Sequence, residues 1–189
     1  APLDAPSNPF RTSLSARSVV FIERLQYCGQ WLEQESALQV WRSALAAPAW
    51  QGPAVWLHGD IHPANLVVNA GELTAVIDFG DLTAGDPAVD LAVAWMMWPE
   101  GVRAQFRAAI DRTMQWADDG LWRRARGWAV SLGVAYLVNS LDNPLMADIG
   151  RRTVAAVLAD GARLVGMREV EVGSEDSCGT GYRCLRVAN

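Results

Sequence analysis

The stretch WLHGDIHPANLVVNAGELTAVIDFGD, residues 56–81, holds both of the chain's histidines and three aspartates: His58, Asp60, His62, Asp78 and Asp81. Asn65 sits among them, and two short apolar runs separate the polar ends. A buried polar atom without a partner costs roughly 1–3 kcal/mol, and a buried charge costs more, so cores avoid such groups. The runs themselves read as strands. Residues 66–68 and 73–77 predict a hairpin with its turn at Asn69-Ala70-Gly71, where Gly71 supplies the positive φ such turns favour. Residues 55–57 predict a further short strand that leads into the polar turn HGDIHPAN.

Spacing gives this cluster a chemistry. Asp60 lies in a turn that Gly59 and Pro63 allow to be compact. Asn65 ends that turn and opens the first hairpin strand, while Asp78 closes the second. Antiparallel pairing then returns residue 78 to the neighbourhood of residue 65, since cross-strand neighbours lie about 4.5–5.5 Å apart. Oxygen atoms of Asn and Asp are the ligands a hard ion such as Mg²⁺ takes. Asp60, left beside them, can accept a proton from a hydroxyl nucleophile. An Asp, an Asn five positions on, a hairpin and then Asp-Phe-Gly is the order found in the phosphoryl-transfer site of kinases. Plainer readings stand beside this one. Asp60, Asn65 and Asp78 can be a capped loop and hairpin ends, His58 a hydrogen-bonded structural histidine, and His62 a loop anchor before Pro63. Asp81 can be a solvated hairpin end, and Asp86 and Asp90 helix-start residues. A hydrolase with His58, His62 and Asp60 around zinc is opposed by Gly59 and Pro63, which disfavour a helical histidine pair, and by the lack of a third His or a Glu at useful spacing.

HGDIHPAN followed by IDFGD and then GDPAVDLA resembles the aminoglycoside phosphotransferase family, kinase-like enzymes that act on small molecules, over about residues 18–160. The resemblance implies an α+β, mostly helical fold: the C-terminal lobe of a protein-kinase-like fold with a small β-hairpin at the active site. It implies transfer of the terminal phosphoryl group of ATP or GTP to a hydroxyl of a small molecule, an aminoglycoside or similar. It also implies Asp60 as catalytic base with His58 bracing its loop, and Asn65 and Asp78 as Mg²⁺ ligands. His62, Asp81 and Asp86 match family positions as substrate-side or supporting residues. The family's N-terminal lobe, which covers the nucleotide and brings a lysine to it, is expected to be absent. The residues ahead of the catalytic loop read helical, and all 16 basic residues of the chain are arginine. The Gly-x-Gly at Gly179 and Gly181 lacks the third glycine of a nucleotide loop and lies at the wrong end. The expectation is a truncated phosphotransferase, weak in isolation. The alternative is a non-catalytic remnant that binds a small ligand or a partner. In either case the face toward the missing lobe is expected to be apolar and to promote self-association.

The remaining sequence sets bounds. With 189 residues, 51% hydrophobic and 20% charged, the chain suits one domain with a sizeable core. A net charge of −5 gives no basic face for nucleic acid. Local field can still draw a cationic substrate, with Asp81, Asp118, Asp119, Asp142 and Asp148 as candidates. Cys28, Cys178 and Cys184 form neither a disulfide framework nor a metal spacing. The start lacks signal-peptide character and no apolar run reaches the ~20 residues of a membrane span, so the expectation is a cytoplasmic protein with no membrane partner. Residues 1–17 read as a flexible arm, 18–166 as the lobe with its catalytic loop at 58–65 and metal motif at 78–81, and 167–189 as an irregular tail. Helical periodicity marks residues 18–47, with Val20, Leu25, Trp31, Leu32, Leu38, Trp41 and Leu45 as the apolar stripe and a break near Cys28 or Ser36. It marks 102–118, with Phe106, Ile110 and Met114 buried, and also 121–139 and 146–164. Asp86 reads as an N-cap, with Pro87 at the first helical position and Asp90 in the first turn.

Overall fold

Residues 13–29, 31–140 and 142–169 are described by the computed structural model of the protein. They are mostly helical, with two small two-stranded sheets. Helix α1 (Ser18–Leu25) runs into a 3₁₀ turn at Gln26–Cys28, and α2 (Gln34–Leu45) follows. The break thus falls at the first of its two expected places. The buried stripe is Phe21, Leu25 and Cys28 on one side of it and Ala37, Val40, Trp41 and Ala44 on the other, steps of three and four that keep one helical face inward. The Phe21 and Trp41 rings stack with centroids 4.4 Å apart. Trp31 and Leu45, expected in this stripe, are exposed. Trp31 lies in the connector, where helical register is lost, and Leu45 is the last residue of α2. Leu14, inside the expected arm, is buried in the same core. Residues 1–12 lie outside the described residues.

The centre of the molecule is α6 (Asp119–Asn139). Its buried residues cover every side of the helix, among them Leu121, Trp122, Ala125, Trp128, Ala129, Val130, Leu132, Val134 and Leu137. A helix apolar all round must be enclosed. It is, by α1, α2, α3 (Ala88–Leu91), α4 (Val93–Met97) and α7 (Pro144–Glu169). Asp118 starts α6 by accepting the Leu121 N–H at 2.7 Å. Small residues let neighbouring helices come close. A Cβ on Gly127 would lie 2.3 Å from the Ala44 Cβ, and one on Gly150 would lie 2.8 Å from the Gly133 carbonyl oxygen.

Helix α5 (Glu100–Thr113) is more superficial. Phe106, Ile110 and Met114, expected as a buried stripe, are only partly buried against the core, and the buried residue of α5 is Arg103. Its guanidinium reaches Asp160 on α7 at 2.5 Å, and Asp160 also accepts the Trp95 indole N–H at 2.7 Å. Burial pushes the nearby Arg126 guanidinium below its ordinary pKa, with Asp160 opposing that shift and Arg103 adding to it. Burial likewise pushes the Cys28 thiol up, which keeps it protonated and unreactive. Helix α7 continues three residues past Gly166, where periodicity predicts its loss. The rest of the expected tail, with Cys178 and Cys184, lies outside the described residues. Among the described residues no helix is long and apolar enough to cross a membrane.

The sheets are β1 (Val55–Leu57) with β4 (Thr83–Gly85), and β2 (Leu66–Asn69) with β3 (Glu72–Val76), both antiparallel. The hairpin turn is two residues rather than three. Ala70 (φ 50°) and Gly71 (φ 84°) are both left-handed, as the twist of a tight hairpin requires.

The close α2–α6 approach gives a direct test. Gly127→Val should lower stability by about 1–3 kcal/mol or more, read as a fall in the urea midpoint. Gly101→Ala, where an added Cβ meets nothing within 4 Å, should leave that midpoint unchanged or raise it.

Candidate active site

The two ladders grip one piece of chain at both ends. Leu57 pairs with Thr83 at one end, and Leu66 pairs with Val76 at the other. Residues 58–65 and 77–82 are therefore held opposite each other as the two sides of a closed ring. The hairpin beyond this ring bulges between Val67 and Val68, and the Thr74 hydroxyl donates to the Val67 carbonyl at 3.1 Å.

Inside the ring, hydrogen bonds fix the backbone. Pro63–Asn65 form a 3₁₀ turn in which the Asn65 N–H donates to the His62 carbonyl at 2.9 Å. The Asn65 carboxamide Nδ2 donates to the Asp60 carbonyl at 2.9 Å, and the Asn65 carbonyl accepts from the Ile77 N–H at 3.0 Å. Asn65 thereby ties the Asp60 turn to the residue just before Asp78. His58 makes a parallel tie. Its Nδ1 accepts from the Asp60 N–H at 3.3 Å, so its Nε2 carries the proton and donates to the Ile77 carbonyl at 2.9 Å. Its ring packs 4.7 Å from Phe79, centroid to centroid. His62 is buried edge-on to Tyr136 and sets its Nε2 3.7 Å from the Asp60 carboxylate.

Asp78 sits in the left-handed region (φ 62°, ψ 63°) between β3 and the 3₁₀ turn Phe79–Asp81, a conformation that costs a non-glycine residue roughly 1–2 kcal/mol. Its side chain is exposed and takes no hydrogen bond among the described residues. Gly59 (φ 83°) lies against the Asp81 carbonyl, where an added Cβ would come within 2.4 Å. Only glycine meets both demands at once.

Asp60, His58, His62 and Asn65 are thus gathered, with Asp78 one residue beyond the Ile77 tie and Asp81 against Gly59. Asp86 is not with them. It lies past the far end of the β1–β4 ladder, where its carboxylate pairs with the buried Arg124 at 2.6 Å and accepts the Ala88 N–H at 3.0 Å. Pro87, not Asp86, is the N-cap position of α3.

Asp90 carries more than its place in a first helical turn suggests. Its two carboxylate oxygens accept the N–H groups of His58, at 2.7 Å, and Gly59, at 2.9 Å. A single side chain on α3 therefore holds the first two residues of the Asp60 loop across 32 positions of sequence. Nothing in the sequence separates Asp90 from an ordinary helix-start acid, because its partners are backbone groups that only the fold brings near.

The donor chemistry suits a hard cation sharing its shell with phosphates. The Asn65 Nδ2 is committed to the Asp60 carbonyl, which leaves Oδ1 as an oxygen that could meet a ligand, and the exposed Asp78 carboxylate could offer a second. Mg²⁺ is commonly bound by one or two protein oxygens, with substrate phosphates and water completing its shell. Among the described residues no group of three or more His, Cys, Asp or Glu side chains forms a full metal cage.

A family model described as the phosphotransferase enzyme family matches residues 4–128, a range that contains all of these residues and ends within α6. No curated protein and no solved structure matches the chain.

Replacing Asp90 by Ala strands two inward N–H groups at the start of the Asp60 loop. The expected cost is about 3 kcal/mol, with faster hydrogen exchange at the His58 and Gly59 amides. Asp90→Asn, which keeps one acceptor, should lose less. Unchanged exchange at both amides in D90A would show that the loop is held by something else.

Proposed function

The chain belongs to the phosphotransferase enzyme family, and we propose that it moves the terminal phosphoryl group of ATP or GTP to a hydroxyl of a small molecule, an aminoglycoside or a similar polar compound. The observation that carries this reading is the double tie from Asn65 and His58, which holds the Asp60 turn against the segment leading into Asp78. In this reading Asp60 accepts the proton of the acceptor hydroxyl as its oxygen attacks the γ-phosphorus. The bond from that phosphorus to the bridging oxygen breaks, and the nucleoside diphosphate leaves. His58 holds the Asp60 backbone, and His62 sets the direction of the Asp60 carboxylate. Asn65 Oδ1 and Asp78 would hold Mg²⁺, which when bound neutralises charge on the β- and γ-phosphates. Asp81 backs the loop at Gly59, and Asp86 serves the fold through Arg124.

The proposal extends to context. Residues 18–166 act as the catalytic lobe, in the cytoplasm, with a small hydroxylated substrate, cationic or neutral, and no nucleic-acid or membrane partner. Trp56, Val67, Val68, Leu73, Ile77, Phe79 and Leu82 all expose large apolar side chains on or beside the hairpin. Exposed apolar side chains in such number favour association, and we take this region as the one through which copies of the chain meet. A second reading, a remnant that binds a ligand without turning it over, is favoured by one feature. The 189 residues include no lysine to meet the nucleotide phosphates.

Calorimetry with ATP or GTP and Mg²⁺ separates the two readings, followed by assay of phosphate transfer to an aminoglycoside, an amino sugar and a macrolide. The expected result is nucleotide heat that depends on Mg²⁺ and disappears in Asp78→Asn. Asp60→Asn should keep that heat while transfer falls by about 10²–10⁴-fold. Absence of heat at millimolar nucleotide would leave the remnant. Light scattering tests the association face: mean mass should rise with concentration, and Val68→Glu with Leu73→Lys should hold the chain monomeric.

A further inference from the structure

Away from the Asp60 ring, a cleft of about 300 Å³ opens between residues 48–52, which precede β1, and residues 115–118, which precede α6. Its walls include two indoles, Trp50 and Trp116, two carboxamides, Gln51 and Gln115, and the Asp118 carboxylate, with Arg124 behind them. None of these is among the residues assigned above to phosphoryl transfer. Trp50 is fixed in place. Its indole N–H donates to the Pro53 carbonyl at 3.0 Å, and its ring lies 6.0 Å from the Arg124 guanidinium. Gly52 lets that ring fold back over the chain, since a Cβ there would lie 2.3 Å from it. Trp116, by contrast, is 50% exposed.

The polar inventory decides the ligand class. Arg124 is paired with the Asp86 carboxylate and also donates to the Pro48 carbonyl, so its charge is neutralised and three of its five N–H groups are used. Anions such as phosphate therefore find no cation here. What remains is mixed. The Gln115 carboxamide and the Trp116 indole N–H make no hydrogen bond among the described residues. Gln51 commits one N–H, to the Ala49 carbonyl, and Asp118 commits Oδ1, to the Leu121 N–H. Donors and acceptors thus stand side by side. An ammonium uses only acceptors and a phosphate only donors, whereas a hydroxyl uses both. Two indoles add flat apolar surface of the kind that covers the C–H face of a saturated ring. The volume, at the lower end of the range for ligand clefts, suits one ring.

We infer that this cleft is a saccharide subsite: it binds a single polyhydroxylated ring, a neutral hexose or an amino sugar, between Trp50 and Trp116. The inference does not depend on phosphoryl transfer, so each can fail alone.

The test uses the full chain carrying ¹⁵N-labelled tryptophan, with indole N–H signals followed by NMR as glucose, glucosamine, inorganic phosphate or tetramethylammonium is added. Glucose or glucosamine at up to tens of millimolar should shift the Trp50 and Trp116 signals together. Trp116→Ala, at a half-exposed position outside the core cluster, should weaken the Trp50 response about fivefold or more. Asp60→Asn should leave it unchanged. A response to glucosamine alone of the two sugars narrows the class to amino sugars and supports the site. Three outcomes overturn it: no shift with either sugar, a shift with tetramethylammonium matching that with the sugars, or a Trp50 response that survives Trp116→Ala intact.

Discussion

Two ladders of a few residues each, Leu57 on Thr83 and Leu66 on Val76, hold the arrangement on which the candidate site depends. Neither is stable by its own hydrogen bonds, since isolated two-stranded pairs are marginal in water. Their order comes from what they are attached to. Leu57, Thr83 and Ala84 are buried, and the loop that starts at His58 is gripped by Asp90 from α3, which packs on α6. The helical core thus lends its rigidity to a backbone ring that could not supply it. The His58 and Asn65 ties then carry that rigidity across the ring to Ile77, where the chain must turn left-handed at Asp78. A strained residue at the end of such a series is held by everything before it.

The absence of lysine has a structural counterpart. Four arginines lie near indole rings: Arg17 at Trp128, Arg103 at Trp95, Arg107 at Trp122 and Arg124 at Trp50. Arg103 and Arg124 are buried, each with a carboxylate partner. A planar, weakly hydrated guanidinium can stack and form a forked ion pair at once, which an ammonium cannot. Through these contacts Arg103 links α5 to α4 and α7, and Arg124 ties α6 to the segments around Trp50 and Asp86. Substituting lysine at 103 or 124 would keep the charge and lose the geometry.

Parts of this were legible beforehand, for identifiable reasons. The strand at 55–57 and the hairpin after it showed themselves as short apolar runs and through Gly71, because a run bounded by turn residues and a positive φ are local properties. The ties from Asn65 to Asp60 and to Ile77 join segments that the sequence already set at the two ends of the hairpin. The helical stripe was read one step off in places. Apolar composition marks a helix, but which of several apolar side chains turns inward depends on its neighbours, so Trp31 and Leu45 ended outside while Phe21, Val40 and Ala44 went in. The role of Asp90 and the commitment of Asp86 to Arg124 left no local trace, since both partners come from distant parts of the chain.

The sequence by itself marked most of the helices, the strand at 55–57 and the hairpin, and it offered the residue types from which a site could be built, because each rests on short spacing and side-chain identity; it gave no sign of β4 and set Asp86 with the ring. Tertiary structure decided which carboxylates serve the fold and which stay with the ring. It also decided how closely α6 can be approached, and that Trp50 and Trp116 line one cleft. Contacts across 31 to 76 residues, such as Gly59 to Asp90 or Arg124 to Pro48, exist only once the chain has closed on itself. Their energies depend on burial and on which backbone groups need partners, and neither is a property of any one residue.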